Sequence, residues 1–336
     1  MKYLRLAHFT TLLLMLFILG LSLEMVYSQP ANFEDSRVKN LSKALKNPTQ
    51  AQKLEYRTKR GNTVFAKEIG KLTNLEILDA GSNNFTSVPT EIGNLKKLQV
   101  LILYFNKLTT LPKELNACKN LHYLNLSNNR FESLPQVIFK LKSLDSLDIN
   151  GNGFKNPAKV IKQLSRLKNL KFLVLGRFNL TQQVDLASLT QLESIKISDY
   201  RQTGLPKGLD KLQKLNGLSL YRYRSTSFPT EVLALQKLTT LKLGRCAFTS
   251  VPKEIAQLRN LEYLSFYRGK ITSLPETIAQ LKNLKVLNIG RTKITKLPEF
   301  IKQLKQLERL NLRRLKISDA EKQALKKALP NTKIKF

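Results

Sequence analysis

Arg222, Arg245, Arg268, Arg291 and Arg314 stand at one fixed interval of 23 residues, and Arg177 lies earlier in the same frame. Two places further along each interval runs a second, broken row of cations: Lys107, Arg130, Arg201, Arg224, Lys270, Lys293 and Lys316. Tyr221 and Tyr267 each precede an arginine of the first row, and Tyr263 stands close by. Rows of this kind attract anions, and the tyrosines add apolar contact and hydrogen bonds that charge alone lacks. Duplication of a repeat copies a residue without selection for binding, so periodicity alone proves nothing. Electrostatics weighs on the other side. Guanidinium groups ~5 Å apart repel by about 1 kcal/mol per pair in water, and an acidic ligand offsets that cost.

Catalytic chemistry fails for want of residues. Cys118 and Cys246 are the only cysteines, and beyond the first 28 residues the only histidine is His122. No Ser/His/Asp or Cys/His set converges from these, and no Gly-rich phosphate loop stands between a strand and a helix. Asp145 and Asp148, near Asn125 and Asn150, offer Ca²⁺ a weak site at best, and a solvated acidic patch explains them better. The sequence therefore calls for no enzyme activity, no metal and no cofactor.

The elements that must position the cations follow from the interval itself. Frames beginning at Leu75, Leu98 and Leu121 carry apolar residues at positions 1, 4, 6, 11 and 14, and the same frame restarts at Leu144, Leu170, Leu192, Leu215, Leu238, Leu261, Leu284 and Leu307. Positions 4 and 6 alternate with polar residues, as a strand with one buried face requires. Position 15 is proline at Pro89, Pro112, Pro135, Pro206, Pro229, Pro252, Pro275 and Pro298, which stops the strand and directs the chain into a turn. A following I-x-x-L-x-x-L spacing predicts one short helical or 3₁₀ turn on the return. The frame from Leu144 has 26 residues and the next has 22; both lack the Leu-Pro pair in frame, with Pro157 close by.

One such unit cannot bury its own apolar face, so units must stack and pair their strands into a parallel sheet. The form L-x-x-L-x-L-x-x-N-x-L-x-x-L-P-x-x-I resembles the leucine-rich-repeat family, in its 23-residue LP-x-x-I subtype. That subtype occurs in exported proteins of pathogenic bacteria and in some intracellular plant and animal proteins. The resemblance covers roughly residues 52–316. It implies an α/β repeat solenoid, a curved right-handed superhelix with a concave parallel β-sheet and short helical or 3₁₀ turns on the convex side.

In that frame, positions 3, 5, 7, 8 and 10 are expected to project from the concave face, which places the rows of cations there. Tyr104, Phe105, Tyr123 and Phe172 are expected to stand on the same face in the first half. Position 9 carries Asn83, Asn106, Asn129 and Asn152, a buried ladder that is lost from the fifth frame on. Cys246 occupies that ladder, while Cys118 falls on the outer side and is expected to react more readily. Strand spacing puts the two cysteines too far apart for a disulfide.

Residues 33–46 read as an amphipathic cap helix with Val38, Leu41 and Leu45 on one face, inside an N-terminal cap over 29–51. One degenerate repeat and about eleven regular ones then fill 52–316. Over 317–336 a second cap opens on Ser318 and Glu321, a capping box. Lys2 and Arg5, the apolar run from Leu12 to Leu21, and Val26 and Ser28 ahead of a cleavage point read as a signal peptide over 1–28. No cysteine lies near that point, so no lipid anchor is expected.

The whole chain carries 57 Lys and Arg against 24 Asp and Glu, a net +33. Its expected partner is an acidic protein or an anionic glycan, met outside the cytoplasm through the concave face. The alternative is a cell-envelope role in which the basic face holds an anionic membrane or polymer. Nucleic acid ranks below both because of the export signal.

Overall fold

The computed structural model describes residues 37–38, 40–58, 62–177, 184–199 and 204–336. The expected signal peptide lies outside the described residues, as do residues 33–36 and 39 of the expected cap helix. The chain divides into two compact units, 1–178 and 179–336.

In the first unit, seven described strands pair in parallel and in chain order: β1 Arg37–Val38, β2 Lys53–Glu55, β3 Ile77–Asp79, β4 Val100–Ile102, β5 Tyr123–Asn125, β6 Ser146–Asp148 and β7 Phe172–Gly176. The second unit repeats the pattern with β8 Ser194–Ser198, β9 Gly217–Tyr221, β10 Thr240–Gly244, β11 Tyr263–Ser265, β12 Val286–Asn288, β13 Arg309–Asn311 and β14 Lys333–Lys335. Register follows the sequence frame: Leu241 of β10 lies opposite Leu218 and Leu264, its equivalents one repeat away on either side. Positions 4 and 6 point into the stack, where Leu101, Leu103, Leu241 and Leu243 are fully buried. Each such leucine contributes ~1.5–3 kcal/mol over exposure.

The prolines act as expected. Pro89, Pro112, Pro252, Pro275 and Pro298 each hold an extended backbone and open a five-residue 3₁₀ turn, such as Lys253–Gln257, whose isoleucine or leucine is buried. In the 26-residue repeat a true α-helix replaces that turn. This helix, α2 (Pro157–Leu164), starts on Pro157 and is capped by the Asn156 side chain, which accepts from the Lys159 amide at 2.9 Å. A helix of eight residues needs more chain than a turn of five, which accounts for the extra length.

The N-terminal region departs from the expected single helix over 33–46. Arg37–Val38 pairs with β2 as a strand, and the helix, α1, is one turn, Leu41–Ala44, capped by Asn40. Strand pairing satisfies backbone groups of an otherwise open sheet edge, which a helix over the same residues would leave unpaired. At the other end, α3 (Asp319–Ala328) begins on the reciprocal Ser318–Glu321 box and buries Leu325. The chain then returns through β14 beside β13.

Two polar ladders bind turn to turn. Asn106, Asn129 and Asn152 each donate through Nδ2 to carbonyls of their own turn and of the preceding repeat at 2.9–3.3 Å, and each accepts from an amide of the preceding repeat at 3.0–3.1 Å. The second ladder was not evident in the sequence. Asn74, Asn120, Asn169, Asn260 and Asn283, each directly before a frame's first leucine, donate to a carbonyl of the preceding repeat at 2.6–3.0 Å. It continues in the second unit, where the first ladder's asparagines are gone and Thr292 Oγ1, for one, donates only within its own turn.

Candidate binding face

The position that carries the arginine row is a backbone feature before it is a side-chain one. From Ser82 to Arg314, every non-glycine residue described at frame position 8 takes left-handed backbone, φ 49° to 61°, and Gly151 joins them at 71°. The turn rotates the chain off the strand so that position 9 points inward. It also aims each amide at the next strand: the N–H groups of Arg222, Arg245, Arg268 and Arg291 donate to the carbonyls of Gly244, Tyr267, Gly290 and Arg313 at 2.7–3.0 Å. A non-glycine residue pays about 1 kcal/mol or more for this conformation, and Asn or Asp tolerates it best. The first unit uses Asn128 and Gly151 here. The second follows Asp199 with five consecutive arginines.

Arg222 is the member of that row with a carboxylate, Asp199, at 3.4 Å. Among the described residues, Arg245, Arg268, Arg291 and Arg314 have no acidic partner. Their side chains are fully or partly open to solvent. Elsewhere in the same unit, lysines do find carboxylates, as in Lys285–Glu262 at 2.9 Å and Lys302–Glu299 at 2.7 Å. Tyr221 lies between two guanidinium groups, with Arg222 and Arg245 at 5.8 Å and 5.4 Å from its ring centroid. Arg268 stands 5.5 Å from the Tyr267 ring. Gly244 makes room for this arrangement, since a Cβ there would lie 3.1 Å from Tyr221 Cδ2. Of the expected second row, Arg224, Lys270 and Lys293 are exposed two residues past the arginines, and Arg201 lies outside the described residues.

The floor between the strands holds residues that the sequence did not single out. Lys196 of β8, Ser219 of β9, Lys242 of β10 and Ser265 of β11 are register partners at position 5. Lys242 Nζ lies 4.9 Å from the centroid of the Tyr263 ring, itself partly buried. Burial first, and then the like charge of Lys196, hold the Lys242 ammonium down to about 7. Burial also raises the Tyr263 phenol, against a hydrogen bond with Asn288 that favours its ionised form.

The first unit presents a different face. Arg177, placed in the cation row by its frame position, belongs here, and its Nη1 donates to Asn128 Oδ1 at 3.2 Å. Ile77, Val100, Ile102 and Tyr123 pack into a buried cluster on the sheet, with Tyr104 against it. Tyr123 and Phe172, expected as exposed aromatics, are 8% and 5% exposed. Bulky side chains at positions 3 and 5 of neighbouring strands cover one another. Phe105 alone of that group stands well out, at 54%.

Both thiols are free and buried, which corrects the expected reactivity of Cys118. Its frame position is filled by Leu95 and Leu141 in the flanking repeats, so it substitutes for a core leucine rather than facing outward. Burial pushes the thiol pKa up to about 11 at Cys118 and about 12 at Cys246. His122 Nδ1 lies 3.5 Å from Asp145 Oδ2, while Asp148 Oδ1 accepts from the Asn150 amide at 2.9 Å.

Strand, left-handed turn, inward asparagine and 3₁₀ return, repeated in register, define a repeat solenoid of the kind whose extended sheet face serves protein recognition. The chain belongs to the leucine-rich-repeat proteins: the family description "Leucine-rich repeat region" matches residues 49–176, 113–221 and 253–326. Among solved structures, an internalin of Listeria monocytogenes is similar at 23% identity and a TM-score of 0.53, over 80% of this chain and 82% of that one. The functional domain of InlJ from the same organism is similar at 18% identity and a TM-score of 0.53, over 90% of this chain and 62% of that one. A leucine-rich-repeat protein of Leptospira interrogans is 29% identical over 89% of this chain and 99% of that one, at a TM-score of 0.42. No curated protein sequence matches the chain significantly. Among the described residues, no helix is long and apolar enough to cross a membrane.

Proposed function

We propose that this chain is an exported binding protein, without a catalytic step, whose second unit receives an acidic protein on its open sheet face. One observation carries the reading. Four neighbouring arginines, Arg245, Arg268, Arg291 and Arg314, lack counter-charges and occupy backbone positions that another residue type would fill at lower cost. Among the described residues no carboxylate offsets the charge of these four, the Tyr221 and Tyr267 rings meeting only Arg245 and Arg268, and a row of carboxylates from outside supplies the missing counter-charge. Tyr221 and Tyr267 supply flat apolar area between the charges, which suits protein side chains better than a bare polyanion. The basic start and apolar run of the first 28 residues support export.

The test is a pair of triple variants. Reversal of Arg245, Arg268 and Arg291 to Glu is set against reversal of Lys214, Lys237 and Lys282, which are exposed outside the row. Both variants lose the same charge. Binding of an acidic peptide, measured by calorimetry, is expected to collapse in the first and survive in the second. It should also weaken as salt rises, since exposed charges are screened within about 8 Å at physiological ionic strength. Equal losses in the two variants leave diffuse basicity as the explanation. Retention of heparin oligosaccharide with no affinity for acidic peptide assigns the face to sulfated glycan instead.

A further inference from the structure

Lys196 and Lys242 hold the same position on strands β8 and β10, with Ser219 of β9 between them in register. Strand spacing puts their Cα atoms ~10 Å apart. Among the described residues, neither ammonium reaches a hydrogen-bond acceptor or a carboxylate. The like-charged Lys196 and the Tyr263 ring flank Lys242, while Tyr221 and Tyr267 and the turn-borne Arg222, Arg245 and Arg268 lie two or three frame positions further along the strands. Asp199, three residues past Lys196 in the turn after β8, is engaged by Arg222. Two lysines and a serine hydroxyl thus face one small area that is walled on one side by the Tyr263 ring, with no anion to hold.

We propose that Lys196, Ser219 and Lys242 form a subsite for a single carboxylate, the side chain of an acidic residue projecting from the protein partner. This rests on the reading above and adds to it a specific anchor beside the arginine row. The arginines are borne on turns and accept a charge from many directions. The lysines lie down on the sheet on either side of Ser219, with the Tyr263 ring beside Lys242, a floor suited to a slender aspartate or glutamate side chain. Seating a carboxylate there favours the charged form of Lys242, so binding takes up a proton whenever that amine is neutral beforehand. Burial and Lys196 already loosen that proton to near neutrality. Affinity should therefore fall as pH rises through 7.

The experiment uses the full chain and a decaglutamate peptide, with affinity measured by calorimetry at pH 6 and pH 8 and constant ionic strength. The wild-type protein is expected to bind up to about tenfold more weakly at pH 8, the fall in the charged fraction of an amine titrating near 7. Lys242→Met is expected to bind several-fold more weakly at pH 6, whereas Lys237→Met, outside the face, does not. Lys242→Arg keeps a permanent cation, so it should restore affinity and abolish the pH dependence. A mere structural role for Lys242 would not flatten the profile in the arginine variant. If reversal of Arg245, Arg268 and Arg291 destroys binding while both Lys242 variants behave as wild type, the subsite is overturned and the wider reading stands. If decaglutamate fails to bind at either pH, the acidic-protein reading itself falls. If a heparin octasaccharide follows Lys242 and decaglutamate does not, the carboxylate assignment is overturned in favour of sulfate.

Discussion

Arg268 and Arg291 each set a proposed binding role against the comfort of the backbone. Both have φ near 60°, where asparagine sits with less strain. Arg268→Asn and Arg291→Asn are each expected to raise stability by up to ~1 kcal/mol, or a few degrees in Tm, while weakening acidic-peptide binding. Thermal unfolding alongside calorimetry checks both halves. A loss of stability would mean that the guanidinium groups are already satisfied within the chain. Lys242 makes a second trade with a definite sign. Its folded-state value of about 7 lies below the ~10.4 of a free lysine, so between these limits the unfolded chain binds a proton that the folded chain lacks. Its penalty is present in full below pH 7 and is relieved as pH rises through that window. Lys242→Met should therefore melt higher than wild type at pH 6, with the gain shrinking toward pH 10. A gain that is constant across that range would tie it to packing rather than to charge. Neither trade was visible in the residue types alone. A lysine reads as solvated until its register neighbours and a tyrosine ring are placed around it.

At the scale of the repeat, the asparagine ladder is the feature whose removal should cost most. Asn129 and Asn152 are buried, and each satisfies carbonyls in two turns and one amide. Replacing either by Ala is expected to cost ~2–4 kcal/mol, because buried backbone groups lose their partners. Thr292→Ala at the same frame position removes one bond within a turn and should cost ~1 kcal/mol. Urea denaturation of the three variants measures the difference; similar costs would show that the ladder does not link the turns. The frame itself was legible because its apolar positions, inward asparagine and proline recur together. The pairing of Leu218, Leu241 and Leu264 follows from that recurrence. What recurrence concealed is just as specific. Asn260 and Asn283 look like surface residues, each beside a cation, Arg259 and Lys282, and their carbonyl partners lie one repeat back. Tyr123 and Phe172 occupy outward positions, and their burial depends on what neighbouring strands place beside them. The mixture of Ser82, Asn128, Gly151 and Asp199 at position 8 did carry a signal for the left-handed turn, since small and Asx-type residues favour it.

Stacked repeats have ends, and the molecule depends on how they are closed. In the C-terminal cap, Leu325 and Leu329 are buried, and β14 pairs with β13 over the fully or nearly fully buried Leu307, Leu310 and Leu312. Ending the chain after Leu315 uncovers these leucines and the edge of β13, and is expected to give aggregation and a lower unfolding midpoint, read by light scattering and urea titration. A truncated chain as soluble and stable as the full one would show that the last repeat closes itself. The position-8 amides have a consequence of another kind. Because each donates to the next strand's carbonyl, the spacing of the arginines is fixed by main-chain bonds and cannot stretch to suit a ligand. The row is a rigid scale with divisions ~4.8 Å apart. Alternate side chains of an extended peptide advance ~6.8 Å and fall out of step within two divisions. Carboxylates one turn apart on a helix advance ~5.4 Å and drift by only about half an ångström per division. Like a vernier, the row would match best a ligand whose own divisions nearly coincide with it, so under the proposed function the expected occupant is an acidic helix laid across the strands.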